Sequence, residues 1–316
     1  MTDFLHNDPE FKDLLAIVSA KEGIDATLIE KDYWIMHVLY GLQQLGIKFE
    51  LKGGTSLSKG YGLIERFSED IDIHIQTDFG LPIEGKEDKP KVREARKEFY
   101  DRLAKEIKIP GIINAVRDTE FDDLEKYRSG GIRLYYESHT PVLEGVKEGI
   151  LLEVGFDTIT PNRPVDISSW TLDYARTTSN SLDYIDNSAI GILCYHPGYT
   201  LVEKLQTIVN KYRKQIESDD KPKNFMRQYY DVYCLLKNTA VRDFIGSEAY
   251  QAHKVARFRG ADKNPPLSEH PALLLSDKNI RHSFEARYRS TSKLYYRSQP
   301  SFENIIEEIH KHLDRL

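Results

Sequence analysis

The stretch KGGTSLSKGYGLIERFSEDIDIHI, Lys52–Ile75, decides how this chain is read. Its last six residues alternate Asp, Ile, Asp, Ile, His, Ile, the period of a strand with one apolar face. Asp70 and Asp72 lie two apart on that strand, so both carboxylates project from the same side. Carboxylates held that close repel each other, and the flanking isoleucines add desolvation. A hard divalent cation relieves both costs, and Mg²⁺ commonly takes one or two carboxylates together with substrate phosphates. Oxygen ligands alone serve Mg²⁺ and Mn²⁺ alike. Taken by itself, an Asp-Ile-Asp pair more often decorates the solvent face of an amphipathic strand.

The residues upstream add a second element. Gly53 and Gly54 can take backbone angles closed to other residues, exposing successive N–H groups, and Thr55 to Gly60 can begin a helix. Those N–H groups, the Ser56 hydroxyl and the helix N-terminus form a natural cradle for phosphate oxygens. A plain strand-to-helix turn would use the same residues. The spacing is more specific: the Gly-Gly-Thr-Ser turn stands roughly 15 residues ahead of the Asp-x-Asp strand.

Outward from this stretch, Leu28, Trp34, Ile35, Val38, Leu39 and Leu42 recur at helical spacing and predict a helix over Thr27–Leu45, ended by Gly46. Lys48–Leu51 reads as a short strand. A loop is expected at Gly80–Pro90 and a charged helix at Lys91–Lys108. Gly130–Glu137 and Gly149–Asp157 read as antiparallel neighbouring strands, followed by a turn at Thr160–Pro164. From Tyr199 onward the pattern is helical. One apolar stripe is Leu201, Leu205, Ile208 and Val209; another is Phe225, Tyr229, Val232, Leu235 and Leu236; Ile305, Ile306, Ile309 and Leu313 form the third. The expected layout is α/β (α+β), with a mixed domain over 1–197 and a mostly helical domain over 198–316.

Composition bounds the function classes. With 316 residues, 40% hydrophobic and 30% charged, the chain can bury a sizeable core. Asp3, Asp8, Glu10 and Asp13 interrupt any signal-like opening, and no apolar run approaches a membrane span. The expectation is a cytoplasmic protein with no membrane partner. Cys194 and Cys234 make neither a metal-ligand spacing nor a disulfide framework and read as ordinary buried thiols. The net charge of −6 argues against a surface coated for duplex DNA. Between Lys254 and Arg297, however, basic residues outnumber acidic ones roughly two to one, and Phe258, Phe284, Tyr288, Tyr295 and Tyr296 lie among them. Such a stretch could grip a phosphodiester backbone and stack on bases, or be a solvated helical face over an aromatic core. His74 continues the Asp72 face as a flanking residue, and no Ser/His/Asp arrangement stands out.

GGTSLSKGYGLIERFSEDIDI resembles the signature of the nucleotidyltransferase AbiEii/AbiGii toxin family, a branch of the DNA polymerase β-like nucleotidyltransferases. EKDYWIMHVL (Glu30–Leu39) looks like the family's N-terminal helix motif, and LLEVGF (Leu151–Phe156) like its third-carboxylate strand. TLVEKLQTI and RQYYDVYCLL, around Lys204 and Asp231, are similar to its two helical motifs. The resemblance implies a nucleotidyltransferase-type mixed sheet. It also implies that Gly53, Gly54, Thr55 and Ser56 bind the nucleotide and that Asp70, Asp72 and Glu153 bind the metal. Asp157, on the face of Glu153, is the fallback third acid. Lys204 would contact the incoming triphosphate, and Asp231 would have a site role; from its residue type alone it either faces solvent or pairs with a basic group such as Lys204 or Arg227. An ion pair between Lys31 and Asp32 would be structural.

The implied reaction moves a nucleoside monophosphate from a nucleoside triphosphate to an acceptor hydroxyl and releases pyrophosphate. By resemblance, the acceptor is an RNA, at a transfer-RNA 3′ end. The partner is a separately encoded antitoxin, in a toxin–antitoxin or phage-defence system. Two other classes remain open: transfer to a small-molecule or protein hydroxyl, and a non-catalytic nucleotide-binding module. The last predicts loss of a carboxylate or of the Gly-Gly turn, and neither is lost here.

Overall fold

A computed structural model of the chain describes residues 3–75, 89–143, 145–156, 160–178, 184–218, 221 and 224–316. It divides into two compact units, Met1–Tyr61 with Phe67–Tyr195, and Gly62–Arg66 with His196–Leu316. Among the described residues, no helix is long and apolar enough to cross a membrane.

The first unit is built on a seven-stranded mixed sheet of β1 (Phe49–Lys52), β2 (Asp70–Ile75), β3 (Ile112–Asp118), β4 (Ser129–Tyr136), β5 (Ile150–Gly155), β6 (Asn162–Ile167) and β7 (Ala189–Tyr195). The order across the sheet is β3-β4-β5-β2-β1-β7-β6. β2 lies inside it, antiparallel to β1 and parallel to β5. On one face Ile71 and Ile73 stand beside Leu152 and Val154, all four fully buried. Each such side chain contributes about 1.5–3 kcal/mol, which offsets the presence of acids on the other face.

The expected strand at 70–75 and the antiparallel pair β4–β5 are present. The turn expected at Thr160–Pro164 is not, because Asn162–Pro164 enter β6. This is an edge strand, where a proline without an N–H is tolerated. β3, the opposite edge, leaves Ile113 70% exposed, so its apolar alternation is too weak to read as a strand. Most of the expected loop at 80–90 and the fallback acid Asp157 lie outside the described residues; Pro90 opens the charged helix at its first turn.

The helix α1 spans Phe11–Glu22 and α2 spans Ala26–Gln44. Asp25 caps α2, accepting the Thr27 N–H at 2.8 Å. α2 is buried nearly all round, and Glu30, Lys31, Asp32 and His37 go inside with its apolar residues. A helical turn α3, Gly53–Thr55, follows β1 directly and continues as a π-helical turn over Ser56–Gly60. α4 (Pro90–Glu106) and α5 (Trp170–Thr178) complete the unit.

The second unit is helical, led by α6 (Pro197–Ser218) and α7 (Phe225–Lys237), with shorter helices running to Phe302–His310. All three apolar stripes are buried. So are Phe258, Phe284, Tyr288 and Tyr295 of the basic stretch, and the Tyr296 hydroxyl donates to the Ile64 carbonyl at 2.8 Å. Arg257 pairs with Glu203 and Arg281 with Glu303. These rings pack the unit's own core and are not a platform for stacking bases. The alternation of Arg with Tyr came from a helical period, with apolar rings in and guanidinium groups out.

Candidate active site

Asp70 and Asp72 are half-buried and Ile71 between them is fully buried, as a strand with one polar face requires. In the parallel ladder Asp72 stands directly opposite Glu153, and Asp70 opposite Leu151. Directly opposed residues share a face, so all three carboxylates emerge together. On the other side of β2, Lys52 stands opposite Asp72.

The electrostatics follow this crowding. Burial pushes the Glu153 carboxyl up to about 8, with Asp72 and then Asp70 adding to the rise and Lys147 and Lys52 opposing it. Lys147 Nζ lies 3.3 Å from Asp70 Oδ1. Lys31 Nζ donates to the Gly149 carbonyl at 2.7 Å. Burial lowers the Lys31 ammonium to about 8, against the pull of Glu69 and Asp70.

The Gly-Gly turn abuts these carboxylates. Gly53 has φ +69°, and a Cβ built on it would collide with Asp72 Oδ2. Only glycine brings its backbone this close in that conformation. Thr55 is fully buried, its hydroxyl donating to the Asp70 carbonyl at 2.5 Å, which locks the turn to the strand bearing Asp70. Ser56 is buried as well. Its hydroxyl lies against the Cys194 thiol, which burial raises to about 11 and the Ser56 contact lowers. Thr55 and Ser56 therefore brace the turn, and a phosphate would be met by backbone N–H groups at the start of the helical segment.

The acidic helix motif is more closely engaged than its sequence suggested. Lys31 and Asp32 do not pair with each other, since adjacent helical residues diverge by about 100°. Asp32 is fully buried, accepts the Trp170 N–H at 2.9 Å and meets Lys59 Nζ at 2.6 Å. Burial raises its carboxyl, and Lys59 opposes the rise. Through this pair α2 holds the end of the Gly-turn helix. Glu30, also fully buried, accepts from Ser138 Oγ and the His139 N–H, both at 2.8 Å, and from Thr140 Oγ1 at 2.5 Å. The Glu-Lys-Asp triplet thus reaches three parts of the site. Their charge beside an apolar period was the available signal, and the helix reading paired Lys31 with Asp32 where each meets a partner elsewhere in the fold.

Lys204 and Asp231 belong to the second unit. Asp231 is fully buried between Arg66 Nε at 2.6 Å, Arg66 Nη2 at 2.7 Å and Lys204 Nζ at 2.8 Å. Burial alone would raise its carboxyl, but Arg66 and Lys204 together hold it below the usual range. Lys204 is thus one of the two expected partners for Asp231; Arg66 takes the place offered to Arg227. Arg66 reaches this cluster because residues Gly62–Arg66 fold with the second unit, and nothing in the local sequence marks that excursion.

The donor set fits a hard cation: three carboxylates on one face, two on adjacent positions of a ladder, with a glycine backbone against one of them. Among the described residues no group of three or more His, Cys, Asp or Glu is gathered closely enough to hold a metal ion by itself. Mg²⁺ does not require one, since it keeps waters and shares substrate oxygens.

A family model described as nucleotidyl transferase AbiEii toxin, of type IV toxin–antitoxin systems, matches residues 37–308. No curated protein matches the chain.

Proposed function

This chain belongs to the AbiEii nucleotidyl transferase toxin family, and from that premise we propose that it transfers a nucleoside monophosphate from a nucleoside triphosphate to an RNA hydroxyl, with release of pyrophosphate. The observation that carries this reading is the register that sets Asp72 against Glu153 with Asp70 one step away and the Gly53 backbone against Asp72.

Asp70, Asp72 and Glu153 would hold Mg²⁺, with Mn²⁺ an acceptable substitute. Bound there, the metal would supply charge neutralisation at the attacking and leaving oxygens. The chain's own residues do the rest by position. The Gly53 and Gly54 amides face the triphosphate. Thr55 ties that turn to the strand bearing Asp70, so that the phosphates and the carboxylates keep a fixed separation. Lys52 and Lys147 flank the carboxylates with positive charge. Lys204 is proposed to contact the triphosphate, its ammonium fixed by Asp231, which Arg66 in turn holds in place. The family description implies an antitoxin as protein partner, and we propose a role in phage defence in the cytoplasm.

The test is label transfer from each of the four α-³²P nucleoside triphosphates to total cellular RNA in Mg²⁺, beside an Asp70→Ala, Asp72→Ala double variant. Labelled RNA with the wild type alone supports the reading and identifies the nucleotide. Label on protein or a small molecule would move the acceptor. Triphosphate binding without transfer to anything would sink the enzyme and leave a nucleotide-binding module.

A further inference from the structure

A cavity of about 150 Å³ opens at the β4–β5 side of the sheet, and Lys147 in its wall reaches Asp70. Its walls come from the end of β4, the approach to β5 and the start of α2, with Lys31, Lys147, Tyr135, Thr140, Val142 and Leu143 among them. The two lysines lie at the end nearest the carboxylates: Lys147 Nζ is on Asp70, and Lys31 is buried with its Nζ on Gly149. The rest is two tyrosine rings and aliphatic side chains, joined by the hydroxyls of Thr27, Ser138 and Thr140 and by Glu148. Cations beside flat rings and hydrogen-bonding groups are the chemistry of a nucleotide site, with phosphate or ribose at the lysines and base against the rings.

The walls are also held in advance. Glu30 fixes residues 138–140 through three hydrogen bonds, and Thr27 Oγ1 donates to the Pro141 carbonyl at 2.9 Å. Tyr136 stacks on Trp34 with ring centroids 4.5 Å apart. A site fixed before binding loses less on ordering its ligand.

Position along the sheet separates the two nucleotides of the reaction. β2 has β1 and its Gly-Gly turn on one side and β5 on the other. The phosphoryl group passes between attacking and leaving oxygens roughly in line, on opposite sides of phosphorus. With the triphosphate on the turn, the attacking hydroxyl must arrive from the β5 flank, where the cavity lies. We infer that this cavity seats the terminal nucleotide of the RNA acceptor and presents its hydroxyl beside Asp70. The inference rests on the proposed nucleotidyl transfer to RNA.

The test uses the full chain with a transfer-RNA fraction as acceptor and measures two quantities. One is the KM for that RNA in label transfer; the other is the Kd for the labelled triphosphate without RNA. Val142→Glu places a carboxylate at a side chain already 78% exposed, so folding is spared, and Leu143→Glu places a second one on the same wall. Each is expected to raise the RNA KM by about tenfold, while the triphosphate Kd shifts by less than about twofold. An unchanged RNA KM in both variants overturns the inference. Weakened triphosphate binding with unchanged RNA KM also overturns it, because the cavity would then hold the donor base. Wild type that binds triphosphate yet labels no RNA defeats the underlying reading, and this shows without any variant.

Discussion

In the second unit a single carboxylate, Asp231, is met by Arg66 and Lys204 at 2.6–2.8 Å and is held firmly ionised. In the first unit three carboxylates share one face of a sheet, and Glu153 stays pushed up to about 8 although Lys147 and Lys52 stand near. Both arrangements bury acid, but one is complete and the other is not. A complete cluster stabilises the fold that contains it. A cluster still short of positive charge has capacity for a cation or a proton, the usual mark of a working site.

The largest expected effect separates the two regions by activity. Asp72→Asn should lower label transfer by about 10³-fold or more, on the scale of losing a principal electrostatic group. Its melting temperature should hold or rise, because one like charge has left the trio. A thermal scan run beside the transfer assay decides this. A fall in stability as large as that of an Asp231 variant would erase the contrast.

Asp231→Ala is the converse. It leaves Arg66 and Lys204 facing each other in the interior, and breaking a buried pair costs about 3–5 kcal/mol. Urea unfolding should show that loss, with Asp231→Asn recovering part of it through its hydrogen-bonding oxygen. A loss below about 1 kcal/mol, the range of an exposed pair, would mean that Asp231 is not a structural keystone.

The two regions also differ in how far the sequence exposed them. Asp70, Asp72 and Gly53 sit within one short stretch, and strand period plus glycine geometry suffices to read them. Glu153 needed the pairing of β2 with β5, which no local pattern carries; its face was legible, its partner was not. Arg66 was invisible because its role depends on the chain leaving one unit for five residues and returning. Lys147 and Lys59 carry no local signal, since the acids they meet lie 77 and 27 residues away. The basic aromatic stretch misled in the other direction, because a helix packing its own core writes the same alternation as a base-stacking surface. Local period therefore read the buried elements and missed the edge strands β3 and β6, and long-range charge pairing was what the sequence hid.

Gly53→Ala sharpens the picture of how the first unit keeps its acids in place. The left-handed conformation costs an alanine about 1–2 kcal/mol, and the new Cβ must displace the Asp72 carboxylate. Transfer should fall by about 10²-fold, the scale of a misplaced reacting group, with only the modest stability loss given by the backbone. If transfer survives, the turn does not set the position of Asp72 and the cradle reading fails.

The most gradual effect is one of pH, spread over several units, and its sign differs between the regions. Asp231 has a folded value below that of an unfolded aspartate, about 3.9. Its stabilisation is therefore complete above that value and is lost as the pH falls through the folded one. Glu153 is shifted upward, so between about 4.3 and about 8 the folded chain holds a proton that the unfolded chain has released. Stability then declines as the pH rises across that window, by at most about 1.4 kcal/mol per pH unit for one proton. Urea midpoints from pH 5 to 9 with a chelator present should slope downward, and Glu153→Gln should flatten the slope because its amide does not titrate. Parallel profiles for the two proteins would show that the trio is already neutralised by its lysines, and the contrast with Asp231 would then lose its physical basis.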